Sequence, residues 1–186
     1  MTIVKQKNSL RLDTKTYDEM DIFNEIQEDV NLLAALGHDY MKKYIYKVII
    51  NKRKGTKRLG CCRKLSQGVY EIQITEKYLR NLDSKEIHNT IMHEVIHSAR
   101  GCMNHGPDWV FLANKVNANY EFTPIQRLSN DPTALQLVKE SAKYFLFCPN
   151  CGKEYHWQRK PKYWKEFTSG KGKCGKCGGK LEFDIT

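Results

Sequence analysis

Apolar residues recur at helical spacing early in the chain. Met20, Phe23, Ile26, Val30 and Leu33 follow one another at intervals of three or four, which predicts an amphipathic helix over residues 16–36. Gly37 is a natural stop. From residue 44 the period changes. YIYKVII is rich in β-branched and aromatic residues, KRKGTKR is a polar turn around Gly55, and GVYEIQIT sets Tyr70, Ile72 and Ile74 against Val69, Glu71 and Gln73. Such alternation marks half-buried strands, and residues 44–75 read as antiparallel strands with a basic hairpin over Lys42–Lys64. Helical spacing then returns. One helix starts near Asp83 or Ser84, where Asp83 and Glu86 resemble a capping box, and ends near Gly101. A second starts at Pro107, a favoured first-turn residue, and runs to about Asn119. Residues 121–134, with Pro124 and Pro132, read as a connection. A short helix over about 133–144 leads to a cysteine-rich segment. The order of elements is α+β, with one domain over residues 1–145 and a small one over 146–186.

The helix from Asp83 carries HEVIH: His93, Glu94 and His97. At about 100° per residue, the two histidines lie about 40° apart on one face, one turn apart. Two imidazoles so placed can bind one metal ion. Glu94 points about 100° away from His93, within reach of a water on that ion without being a ligand. Ile87, Ile91, Met92, Val95, Ile96 and Ala99 occupy the opposite arc, so the helix packs on its far side and is polar where the ligands are. A catalytic zinc needs a third protein ligand and an open fourth position. His105 is the favoured third ligand, because Gly101 can turn the chain back ahead of the Gly106-Pro107 helix start; Glu121 is the competitor. Such an ion lowers the pKa of a bound water to about 7, and Glu94 is placed to be its general base. Peptide hydrolysis suits these parts. His88, on the apolar arc, reads as packing or surface.

The cysteines describe a second site. Cys148 and Cys151 form one CxxC pair and Cys174 and Cys177 another, with 22 residues between the pairs. Four thiolates close a tetrahedron around zinc, so this ion is structural, and a segment of about 40 residues needs such a staple to fold. Two zinc ions are therefore expected, one catalytic and one structural. Cys61, Cys62 and Cys102 have no ligand spacing and read as buried free thiols.

Composition adds a partner. The 186 residues include 31 Lys/Arg against 21 Asp/Glu, a formal net charge of +10. Residues 1–40 carry a net of −4, residues 41–146 of +9 and residues 147–186 of +5. Lys42–Lys64 holds ten basic residues and no acid. Lys52, Arg53, Lys54, Lys57 and Arg58 are the candidate nucleic-acid contacts there. Between the CxxC pairs, Arg159, Lys160 and Lys162 interleave with aromatics such as Trp164, the pairing a single-stranded nucleic-acid platform uses; the bland reading is that these rings pack the ribbon's own core. DNA, single-stranded or duplex, is the expected partner alongside a protein substrate. No apolar run approaches the ~20 residues of a membrane span, and MTIVKQKNSL lacks the apolar core of a signal peptide. The expected location is the cytoplasm, including the nucleoid, where thiols stay reduced. The competing reading is a non-catalytic, zinc-containing nucleic-acid-binding or transcription-associated module. It has no use for Glu94.

TIMHEVIHSARGCMNHGPDWVFLANKVN resembles the core of the SprT-like zinc metalloproteases: HExxH, then HGxxW, then a helix ending in Asn117. KRLGCC and VYEIQIT resemble the strands that precede that core, and the CPNCG and KCGKCGGKLEF tail is similar to the zinc ribbon of bacterial and phage members. The resemblance covers roughly residues 17–186. It implies a zincin-like α+β protease domain with a C-terminal zinc ribbon, zinc on His93, His97 and His105, and Glu94 as the catalytic residue. The related Spartan-type proteases cleave proteins attached or crosslinked to DNA and are activated by DNA. That substrate is the weaker part of the carry-over.

Overall fold

A computed structural model of the chain describes residues 17–53, 57–120, 125–126, 131–157 and 159–183. The turn around Gly55 with Lys54, the alternative ligand Glu121, and Pro124 lie outside the described residues. The chain divides into two compact units: residues up to 51 with 60–128, and residues 52–59 with 129–186.

In the first unit, α1 (Glu19–Leu33) opens on a capping box in which Asp18 and Asp21 exchange side-chain to backbone hydrogen bonds. Its buried stripe is Ile22, Ile26, Val30 and Leu33. The expected stripe was set one position off at its start: Met20 is 64% and Phe23 36% exposed. The i, i+4 row through Ile22 faces the core, and Met20 lies about 160° and Phe23 about 100° around from Ile22. Two short kinked turns, Ala34–His38 and Asp39–Lys43, lead into the sheet.

The sheet consists of β1 (Ile45–Asn51), β2 (Gly60–Ser66) and β3 (Val69–Thr75) in the order β1-β3-β2. β3 pairs antiparallel with β2 but parallel with β1. The expected all-antiparallel sheet and the Lys42–Lys64 hairpin are therefore corrected: β1 and β2 are not neighbours, and the turn that joins paired strands is Gln67-Gly68. The reason lies in burial. β3 buries Tyr70, Ile72 and Ile74 and half-buries its other face, so it belongs in the middle. β1 and β2 project Lys47, Arg63 and Lys64 into solvent, and charge of this kind suits sheet edges.

After one turn of helix, α2 (Glu76–Leu79), comes α3 (Ser84–His97). Asp83 caps it by accepting from the Glu86 N–H at 2.9 Å. It stops at His97, short of Gly101. α4 (Pro107–Asn119) begins with proline in its first turn. α3 packs against α1, β2, β3 and α4. Ile87, Ile91, Met92, Val95 and Ile96 are all buried, the far arc anticipated from the spacing.

His88 does more than pack. Its Nδ1 meets the Glu25 carboxylate, and its Nε2 lies 3.4 Å from Oδ1 of Asp29, which is fully buried on α1. Burial, opposed by the His88 charge, raises the Asp29 pKa well above 3.8. Burial alone would lower His88, but the Glu25 hydrogen bond and the Asp29 charge outweigh it and raise His88 above 6.5. Both shifts make the folded chain hold protons that the unfolded chain releases. The His88 contribution is full below its unfolded value and is lost as pH rises through its raised folded value. We expect His88→Ala, which strips a buried carboxylate of its partner, to cost about 3–5 kcal/mol in urea unfolding. The His88 part of the stability should be lost from about pH 6.5 upward, and His88→Gln should remove that part of the pH dependence.

In the second unit, α5 (Pro132–Glu140) precedes an antiparallel pair, β4 (Tyr144–Phe147) with β5 (Glu154–Trp157), and a short α6 (Trp164–Thr168). Its core is Leu146, Cys148, Cys174 and Leu181, against which Tyr155, Trp157, Trp164 and Phe167 pack. Among the described residues no helix is long and apolar enough to cross a membrane.

Candidate metal centres

α3 presents His93 and His97 one turn apart, and the loop after it returns His105. The return begins at Gly101, whose φ of 78° is left-handed backbone and where a side chain would meet the Asp108 carboxylate. One ligand atom from each of the three histidines falls within a group no more than 4.8 Å across. The Nε2 atoms of His93 and His105 are 2.9 Å apart. Metal–nitrogen bonds of about 2.0–2.1 Å in a tetrahedron place nitrogens roughly 3.4 Å apart, so the cluster has the dimensions of a first coordination shell.

The rings are also set in the form that binds metal. His93 Nδ1 lies 2.9 Å from the Gln126 carbonyl and His97 Nδ1 lies 2.6 Å from the Cys102 carbonyl. A carbonyl only accepts, so each Nδ1 carries the proton and each Nε2 offers a lone pair. Burial, then the neighbouring His97 and His105, pushes His93 down to about 3, and burial lowers His97 as well. Neutral imidazole is the ligand form. The Trp109 ring, 2% exposed, touches all three rings at centroid distances of 4.8, 5.7 and 4.7 Å to His93, His97 and His105. It restrains the ligand rings from the α4 side.

Glu94 is 6% exposed and is not a member of the ligand group. Cys62 lies near it. Burial first, then the Glu94 charge, pushes the Cys62 thiol up to about 12. Cys62 therefore stays protonated and does not compete as a thiolate ligand. Cys102 is buried as expected, whereas Cys61 and Cys62 are only half-buried; none of the three is in a disulfide.

In the second unit, Cys148, Cys151, Cys174 and Cys177 form the other group that can hold a metal ion. Sγ–Sγ distances are 3.5 Å for Cys148–Cys177 and 3.7 Å for Cys151–Cys174. Zinc–sulfur bonds of about 2.3 Å in a tetrahedron require roughly 3.8 Å, which these sulfurs match. The Tyr155 hydroxyl lies 3.3 Å from Cys174 Sγ, and this hydrogen bond leads the causes that lower the Cys174 thiol to about 6. The thiolate is the form that takes a metal.

The basic candidates fall in one unit. Lys52, Arg53 and Arg58 are exposed, as are Arg159, Lys160 and Lys162. Lys57 is half-buried and donates to the His156 carbonyl. Trp164 is half-buried against the ribbon core, edge-on to Tyr144 and Phe183. Its neighbour Tyr163 is 54% exposed, with the Lys162 ammonium 5.7 Å from its ring. Tyr163 is thus the ring open to solvent. Its position beside Trp164 offered no way to rank the two from sequence. Trp109 stood in the HGxxW pattern, but nothing in its spacing gave it a role; its packing against all three histidine rings is what the structure adds.

These features define a mixed α+β protein with a three-histidine group on one unit and a four-cysteine group on the other. The SprT-like family model matches residues 27–130, more than half of the chain, and the protein belongs to that family. The match spans the sheet, α3 and α4 and stops before Cys148.

Proposed function

We propose that the chain is a zinc-dependent metallopeptidase of zincin-like architecture that acts on proteins held on DNA. The observation that carries the hydrolytic reading is three imidazoles converging on one point, with a buried Glu94 next to His93 in the helix and not one of the group. Zinc bound there supplies Lewis acidity toward a scissile carbonyl and toward water. His93, His97 and His105 would hold it. Glu94 takes the proton from the attacking water and returns it to the departing amine. β2 supports a peptide substrate. Among the described residues it pairs only with β3, and an extended peptide can add to such an edge.

The DNA part rests on charge and on the resemblance to Spartan-type proteases. Basic residues of the 52–59 segment and of the ribbon belong to one unit, and Tyr163 adds an exposed ring for base stacking. Four thiolates around the second zinc hold this unit together and carry out no chemistry. The test is cleavage of a protein bound to single-stranded DNA by the zinc-loaded chain, with and without the DNA. Cleavage should require DNA. With about five phosphates neutralised, affinity for single-stranded DNA should fall roughly 100-fold between about 50 and 200 mM salt. Salt-independent affinity would remove the DNA from the proposal, and DNA-independent cleavage would leave a peptidase with another route to its substrate.

A further inference from the structure

Gly60 opens β2, opposite Ile74 of β3, on the strand that packs against α3. A Cβ built on Gly60 would sit 2.7 Å from Cγ of Glu94, 2.8 Å from its Oε1 and 3.1 Å from its Cδ. Real Cβ atoms do not approach other atoms so closely, so the Glu94 side chain occupies the volume that any other residue at position 60 would fill. Cys62 lies two residues further along, on the same face of the strand, and its neutral thiol feels the Glu94 charge. Glu94 is thus bounded by its own helix and by a strand whose first residue has no side chain.

We propose that Gly60 is a positioning residue for Glu94: its bare Cα sets where the carboxylate stands relative to the three histidines. This inference rests on the reading of Glu94 as general base. Backbone conformation does not explain the glycine. Gly60 is not among the glycines with left-handed φ, so alanine fits the chain there and even restricts the unfolded state. The atoms a methyl would strike, Cγ, Cδ and Oε1, all belong to the Glu94 side chain and none to backbone, so the fold absorbs the change by turning the whole Glu94 side chain aside. The cost then falls on the reaction, where a displacement of about 1 Å is worth roughly 100-fold.

The test is Gly60→Ala in the full, zinc-loaded chain. Zinc content should stay at the wild-type level, and the melting temperature should hold or rise. A crystal structure should show the Glu94 carboxylate displaced from its wild-type position. With fluorescein-labelled casein and single-stranded DNA present, kcat should fall by about 10- to 100-fold with KM unchanged. Glu94→Asp should cost much less in the Gly60→Ala background than alone, because both changes disturb the same carboxylate. An unmoved carboxylate with wild-type kcat overturns the inference. So does a lowered melting temperature with lost zinc, which would make Gly60 a structural residue. Glu94→Gln separates this from the wider reading: if that variant cleaves like wild type, the general-base reading of Glu94 fails and the Gly60 inference with it; if it is inactive while Gly60→Ala is fully active, only the role of Gly60 falls.

Discussion

Glu94→Gln is expected to fold, to keep both metal ions, and to lose at least about 100-fold in cleavage of a DNA-bound protein. Glutamine has nearly the same shape, and Glu94 is not among the residues that group as ligands, so neither packing nor metal content should change. What changes is proton chemistry: an amide cannot take the proton from water or hand it to an amine. The side chain is 6% exposed, so solvent does not readily substitute for it. Metal analysis, circular dichroism and cleavage on one preparation read the three expectations together. Unchanged cleavage would reject the general-base role, whereas no cleavage by the zinc-loaded wild type would favour a non-catalytic zinc module. Loss of one metal equivalent would instead place Glu94 among the ligands.

The second large effect is expected from Cys148→Ser. The ribbon buries little besides Leu146, Leu181 and the sulfurs of Cys148 and Cys174, and a core so small depends on its staple. Structural zinc in small modules contributes about 10–16 kcal/mol of apparent binding energy, which is folding energy. The variant should bind one equivalent of zinc less and lose the ordered environment of Trp157 and Trp164, which pack on that core. His105→Ala should lose the other equivalent and leave those two tryptophans ordered. Retention of both ions in either variant would remove that residue from its proposed ligand set. The two substitutions report independently because their ligand groups belong to different units.

The two candidate ligand groups were readable because metal geometry imposes sequence spacing. A one-turn separation brings His93 and His97 together, and a CxxC knuckle presents two thiolates, whatever surrounds them. The elements were mostly readable too, since caps such as Asp83 and Pro107 act locally. Sheet order was not. The alternation in β1 and β3 is the same for a parallel or an antiparallel partner, and only the burial of both β3 faces puts that strand in the centre. The start of the α1 stripe failed for a related reason. Met20 and Phe23 are as apolar as Ile22, and what turns Ile22 inward is the packing of α1 on α3 and β1. His88 looked like a surface or packing residue because its carboxylate partners lie about 60 positions earlier in the chain.

The groups that orient His93 and His97 are main-chain oxygens, those of Gln126 and Cys102. Every amino acid supplies that oxygen, so replacing either side chain leaves the acceptor in place. A survey of point substitutions would therefore report the exposed Gln126 as tolerant, although the His93 tautomer depends on its backbone. Sensitivity should appear instead to changes in chain path: an inserted or deleted residue after α3 or after α4, or a proteolytic nick near Gln126. In this protein the outer support of the candidate metal site is recorded in loop length, where side-chain comparison does not look for it.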